Sequence, residues 1–149
     1  MRLRVPPLVW FVLFGGLIAV SALVPGLQLA PLPWFGLTFA ILGLGLAGGA
    51  VADFQRRKTT VDPRAPGRAT ALLTRGVFRL TRNPIYVGMA LCLFGLALAL
   101  GTVLGLFLTL GFIAALTAWQ IRPEEKALRS LFGPDYDDYA AKVPRWLLV

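Results

Sequence analysis

Long apolar stretches, separated by short polar ones, set the pattern of the chain. Residues 8–24 read LVWFVLFGGLIAVSALV, residues 34–52 read WFGLTFAILGLGLAGGAVA, and residues 85–121 form one uncharged block. Runs of this length and polarity predict membrane helices. As a single helix the block 85–121 would reach about 55 Å at 1.5 Å per residue, against a hydrocarbon core of about 30 Å. It is therefore expected to fold back as a hairpin, 85–100 and 102–121, with Gly101 and Thr102 at the turn. Each arm is short, so some tilt or local thinning is expected. The predicted fold class is all-α: a polytopic membrane protein with four transmembrane helices, the last two a helical hairpin, plus short cytoplasmic or interfacial helices. A single domain over 1–149 would carry a cytoplasmic loop, 53–84, and a cytoplasmic tail, 122–149.

Within the loop, Pro63, Pro66 and Gly67 predict irregular chain. The tail reads as two short helices. Pro123 suits a first helical position and Glu124 and Glu125 a first turn, after which Leu128, Leu131 and Phe132 share a face. Gly133 and Pro134 break that helix, and Tyr136, Tyr139, Ala140 and Val143 share a face of the next. Trp146, Leu147 and Leu148 could anchor the end in the interface. The glycines of the second span, Gly43, Gly45, Gly48 and Gly49, could support helix pairing.

Composition strengthens the membrane reading: 57% of the 149 residues are hydrophobic and only 15% charged, where soluble domains average about 25%. The net charge is +8, carried by 15 Lys and Arg. These lie before the first span (Arg2, Arg4), between the second and third, and after the fourth; the loop 25–33 has none. Four spans with both termini inside put every one on the cytoplasmic side, whereas three would carry the basic loop or tail across. The expected location is a bacterial or archaeal cytoplasmic membrane, with headgroups rather than nucleic acid as the partner of the positive charge. MRLR, the apolar run and the small residues at Ser21–Ala22 also resemble a signal peptide, though the run is long for one and contains Trp10.

Absences narrow the chemistry. There is no histidine and a single cysteine, Cys92, within an apolar stretch. An intrachain disulfide, a Cys/His metal centre and Ser-His-Asp or Cys-His catalysis are all excluded. No phosphate-cradling GxxxxGK[ST] loop occurs. The spans hold no ionisable side chain of the kind ion-coupled transporters use, which disfavours a transporter. The directed polarity sits at 74–88 and 120–139 instead. Chemistry borne by a cofactor remains. Methyl transfer from a sulfonium donor fits, because the protein mainly aligns the reactants and excludes water. An acceptor that is already an anion needs no general base.

Three segments, TTVDP (59–63), LLTRGVFRLTRNPIYVGM (72–89) and IRPEEKALRSLFGPDYDDYAAKVPRWL (121–147), resemble the integral-membrane methyltransferases. That group includes isoprenylcysteine carboxyl methyltransferase and the phospholipid N-methyltransferases. The likeness covers roughly the C-terminal 90 residues. It implies S-adenosyl-L-methionine as cofactor, bound between the cytoplasmic ends of the hairpin and the C-terminal helices, and a lipid or lipophilic small-molecule substrate entering from the bilayer. By position it implies one wall from Arg82, Asn83, Pro84, Tyr86 and Gly88. Arg122, Glu124 and Glu125 form the other, with Tyr136 and Tyr139 nearby. Arg82 and Glu125 are the expected catalytic pair, and no metal is implied. Two positions depart from the common pattern: Asn83 stands where many members have His, and Phe78 where many have Tyr. Asparagine keeps a donor and an acceptor but cannot titrate.

Each of these residues also has a purely structural reading. Pro84 can simply start a helix, with Asn83 as its N-cap. Arg82 can be a headgroup-facing arginine and Tyr86 an interfacial aromatic. The two glutamates can complement a helix dipole, one turned to the pocket (Glu125 preferred) and the other to solvent or Arg122. Tyr136 and Tyr139 can be core, Gly88 and Gly95 close helix contacts, and Asp135, Asp137 and Asp138 solvated or capping residues. Carboxyl O-methylation of an isoprenylcysteine-like or other lipophilic acid is the preferred activity. N- or S-methylation and a non-catalytic membrane scaffold are the alternatives.

Overall fold

The computed structural model describes residues 5–56 and 71–147. Lys58 with its neighbouring cations, the TTVDP segment, Pro63, Pro66, Gly67, Arg2, Arg4 and Leu148 lie outside the described residues. Six α-helices follow in order: α1 (Pro7–Ser21), α2 (Pro33–Arg56), α3 (Pro84–Leu100), α4 (Val103–Leu116), α5 (Arg122–Phe132) and α6 (Pro134–Lys142). A 3₁₀ turn (Gly76–Arg79) precedes α3, and a π-helical turn (Thr117–Ile121) joins α4 to α5. Among the described residues there is no strand, only an isolated antiparallel bridge between Gln28 and Thr102.

Prolines start several of these helices, because the first turn needs no N–H from them. α1 stops at Ser21, short of the expected 24: Leu23 and Val24 donate to Val20 and Ser21 carbonyls in tight turns instead. α2 runs on to Arg56, past the expected 52. The hairpin turn falls where the pattern places it. Gly101 takes φ 64°, a left-handed conformation suited to glycine, and Thr102 Oγ1 caps α4 by accepting from Gly105 N–H at 3.2 Å.

The tail does not begin a new helix at Pro123. The helix runs unbroken from Val103 to Phe132, 30 residues. The π-helical turn explains this. Arg122 N–H donates to Thr117 O, an i to i−5 bond, so the widened turn accepts the proline beside it, whose missing N–H would leave a gap in regular α-helix. Among the described residues two helices are long and apolar enough to cross a membrane, Pro33–Arg56 and Val103–Phe132; α1 and α3 are apolar but shorter, at 15 and 17 residues.

α3 lies at the centre. Against α2 it packs through reciprocal glycines spaced seven apart on both helices: a Cβ on Gly36 would lie 2.5 Å from Gly95 O, and one on Gly43 2.5 Å from Gly88 O. Only backbone-to-backbone approach fits there. Gly45 and Gly48 face open space and take no part in this contact, unlike the pairing expected of the whole glycine group. On the other side α1 packs against α3 and α4. Ile18, Leu93, Phe112 and Leu116 are buried between them, Phe14 meets Phe112 edge-on at 5.7 Å, and Trp10 stacks on Trp119 at 5.4 Å. The outward faces carry Leu8, Val12, Val20, Trp34, Ile41, Leu44, Phe107 and Leu110, each more than half exposed.

The two ends differ. At one, the 25–33 loop lies on the hairpin turn (Leu29 N–H to Gly101 O, 2.7 Å) and Ser21 meets Thr102 at 2.9 Å. At the other, Phe54 of α2 packs edge-on to Phe78 of the 3₁₀ turn, and every described Lys and Arg is found.

Candidate functional site

Three described segments meet in a cluster at the basic end: the 81–86 corner, the π turn with α5, and α6 with the segment after it. Pro84 opens α3 and is buried. Asn83, expected as its cap, makes no capping bond. Its Nδ2 turns away and donates to Arg145 O at 3.0 Å, while its own N–H takes Thr81 Oγ1 at 3.1 Å. Two residues on, helical geometry carries Tyr86 to the buried side, where its hydroxyl donates to Glu124 Oε1 at 2.8 Å.

The two glutamates are both half-buried, and each engages side chains of the cluster. Consecutive helix positions point about 100° apart, and here each direction meets a different partner. Glu124 accepts from Tyr86 and from the Gln120 carboxamide one turn earlier. Glu125 forms an ion pair with Arg82 Nη1 at 3.1 Å and accepts, in a two-point fork, from Arg145 Nε and Nη2 at 3.0 and 2.7 Å. That hydrogen bond raises the Arg145 pKa further. Arg82 Nε, by contrast, is buried without a hydrogen-bond partner. Such a donor is costly to leave unmade, by about 1–3 kcal/mol, and calls for an explanation.

α6 closes the cluster. Tyr136 is fully buried beside the Arg82 guanidinium, its phenol pushed up by desolvation first and the Glu125 charge second. Tyr139 is also buried, donates to Phe78 O at 2.7 Å, and is pushed well above the ordinary range by desolvation. The two rings meet edge-on at 6.4 Å. Phe78 thus serves through its carbonyl and its ring, packed with Ala50 and Leu73. Arg129 pairs with Asp137 at 2.6 Å and lies over the Tyr136 ring. The other acids of α6 make no cap.

The expected residues Arg82, Asn83, Pro84, Tyr86, Glu124, Glu125, Tyr136 and Tyr139 therefore come together. Gly88 does not join them: it faces α2. Arg122 is exposed on the rim, where with Glu125, Lys126, Arg129, Ser130 and Arg145 it lines an open cleft of ≈ 570 Å³. The predicted apolar face of α5 is not core either; Leu131 is exposed and Leu128 and Phe132 only partly covered.

Sequence reasoning missed Gln120 and Arg145. Gln120 is the one carboxamide in the 85–121 block, a signal that it needed a partner at depth. Arg145, set between Pro144 and Trp146, gave less away. Trp146, expected as an interfacial anchor, donates its indole N–H to Thr117 Oγ1 at 3.1 Å.

Relatives bear on this arrangement. Protein-S-isoprenylcysteine O-methyltransferase of Schizosaccharomyces pombe is 28% identical over 108 residues, 72% of this chain and 46% of that protein. Protein-S-isoprenylcysteine O-methyltransferase B of Arabidopsis thaliana is 33% identical over 116 residues, 74% of this chain and 56% of that one. A probable protein-S-isoprenylcysteine O-methyltransferase of Oryza sativa subsp. indica is 35% identical over 120 residues, 74% and 60%. The chain thus spans about half the length of the curated relatives it matches. No solved structure matches it. The profile of the phospholipid methyltransferase family matches residues 32–135, from the start of α2 into α6 and so across both walls of the cluster. By that match the chain belongs to the phospholipid methyltransferase family.

Proposed function

We propose that the chain transfers a methyl group from S-adenosyl-L-methionine to a lipophilic acceptor at the cytoplasmic face of a membrane, with a carboxylate as the preferred acceptor. The observation that carries this reading is the pairing of Arg82 with Glu125 beside a buried, unpartnered Arg82 Nε. A guanidinium held by a carboxylate on one edge, with a donor left over on another, is suited to receive an anionic oxygen.

The four apolar helices are read as four spans of a single membrane-embedded domain, with both termini cytoplasmic. The belt of exposed Leu, Val, Ile and Phe supports lipid around α1, α2 and α4, and the one-sided charge supports the orientation. The cluster then lies where a polar donor from the cytosol and an acceptor in the bilayer can meet.

The residues present fit the donor's chemistry. Arg82 Nε suits its carboxylate or that of the acceptor. When bound, the donor would supply an electrophilic methyl on a sulfonium whose sulfur leaves neutral. Glu125 orients Arg82 and balances its charge. Tyr86 and Gln120 fix Glu124, facing the cluster from α5. Tyr136, held protonated by desolvation, stays a neutral hydrogen-bonding group beside Arg82. None of them has to remove a proton, because a carboxylate acceptor arrives ionised.

The family's description specifies a phospholipid acceptor, and the relatives' names specify O-methylation. The test is direct. The purified chain in lipid nanodiscs should bind S-adenosylhomocysteine by calorimetry. With labelled S-adenosylmethionine it should methylate a prenylated cysteine bearing a free carboxylate, but not the corresponding amide. Labelling of phosphatidylethanolamine instead would turn the assignment to N-methylation, and no binding by folded protein would overturn the proposal.

A further inference from the structure

After α6 the chain turns extended at Val143 (φ −120°, ψ 127°) and runs back over the cluster. The anchors of this strap fall on three sides of it: the 81–83 corner, α5 and the π turn. Pro144 O accepts from Arg82 N–H at 2.9 Å, and Arg145 O accepts twice, from Thr81 Oγ1 at 2.9 Å and Asn83 Nδ2 at 3.0 Å. The Arg145 side chain forks onto Glu125 of α5, and Trp146 reaches Thr117 in the π turn.

We infer that the strap 143–146 is the element that assembles the site, and that Arg145 is a positioning residue that sets Glu125 and, through it, Arg82. The reasoning is geometric. The 81–83 corner has no cap of its own, and three of its donors end on two strap carbonyls. On the strap side those bonds use backbone oxygens alone, so they need no particular side chain at 144 or 145. Among the described residues, the fork from Arg145 to Glu125 is the one ion pair that ties the strap to α5. It also engages both oxygens of Glu125, and Arg82 Nη1 pairs with Oε1, the oxygen that Arg145 Nε holds. Releasing the fork frees the corner and the carboxylate together. A Lys at this place keeps the charge but cannot fork.

Two measurements on the full chain in nanodiscs test this: hydrogen exchange, and calorimetry with S-adenosylhomocysteine. The second rests on the methyl-donor reading and the first does not. In Arg145→Ala, amides of 81–83 and of the strap should exchange about 10–100-fold faster while those of α2 and α3 stay protected, as loss of one charge-assisted fork implies. S-adenosylhomocysteine should bind about tenfold or more weakly, with the melting temperature little changed. Arg145→Lys should fall between, and it decides the matter if the alanine variant fails to fold. Lys142→Ala, an exposed position just before the strap, should behave as the unaltered chain. Unchanged protection at 81–83 in Arg145→Ala would overturn the inference, as would full affinity with the strap released. If the unaltered chain does not bind the ligand, the methyl-donor reading falls and the exchange result still decides the role of the strap.

Discussion

Glu124 and Glu125 are adjacent in the chain, yet one is held by a phenol and a carboxamide and the other by two guanidiniums. Replacing Glu125 with Gln should leave Arg82 and Arg145 as neighbouring cations without their shared counter-ion. Loss of S-adenosylhomocysteine binding in calorimetry is the expected outcome, and retention at full affinity would remove Glu125 from the site. Tyr139 tests the buried side of the cluster. Tyr139→Phe leaves the Phe78 carbonyl without its donor and should cost about 1–3 kcal/mol in thermal unfolding. Its raised pKa fixes the sign of the pH effect. The folded state holds the phenol proton more tightly than the unfolded chain, so this contribution is complete below the ordinary value of about 10 and is lost as pH rises above it. Unfolding followed between pH 8 and 12 should show a decline that is shallower in Tyr139→Phe. Most of these residues were legible because Arg, Pro, Tyr and paired Glu stand out at the edges of apolar runs. Arg145 was not, because a bond to a residue 20 positions away leaves no local pattern.

At the scale of elements, periodicity and capping located the helices but not how they join. Gly101 and Thr102 mark the hairpin by their own conformational preferences, so the turn could be read directly. Pro123 pointed to a helix start, because proline is normally excluded from helix interiors; the π turn that admits it is a change of register without a compositional signature. The α2–α3 contact was half legible: glycines were evident, but which of them face the partner depends on the rotation of α2. That gives a paired test. Gly43→Ala places a methyl 2.5 Å from a backbone oxygen and should destabilise by about 1–3 kcal/mol. Gly45→Ala meets nothing within 4 Å and should be neutral or stabilising by up to about 1 kcal/mol. Equal effects in thermal unfolding would contradict the close approach.

For the whole molecule, the separation of charge between its ends was plain in the sequence, and the structure keeps it: the 25–33 loop and the hairpin turn lie together, opposite the cluster. In a background of Cys92→Ala, a cysteine at Gln28 should react with an impermeant maleimide from outside intact cells, and one at Ser130 only after lysis. Labelling of both from one side would contradict the four-span layout. The continuity of α4 and α5 has a mechanical consequence. Thirty residues at 1.5 Å each make a continuous helix about 45 Å in length along its axis, with Phe107 and Leu110 on its apolar part and both glutamates in its far third. Any change in acyl-chain length that leans this lever would carry the carboxylates with it, past a corner anchored on a different helix. Turnover measured in a graded series of phosphatidylcholines should therefore peak at one chain length and fall on either side of it.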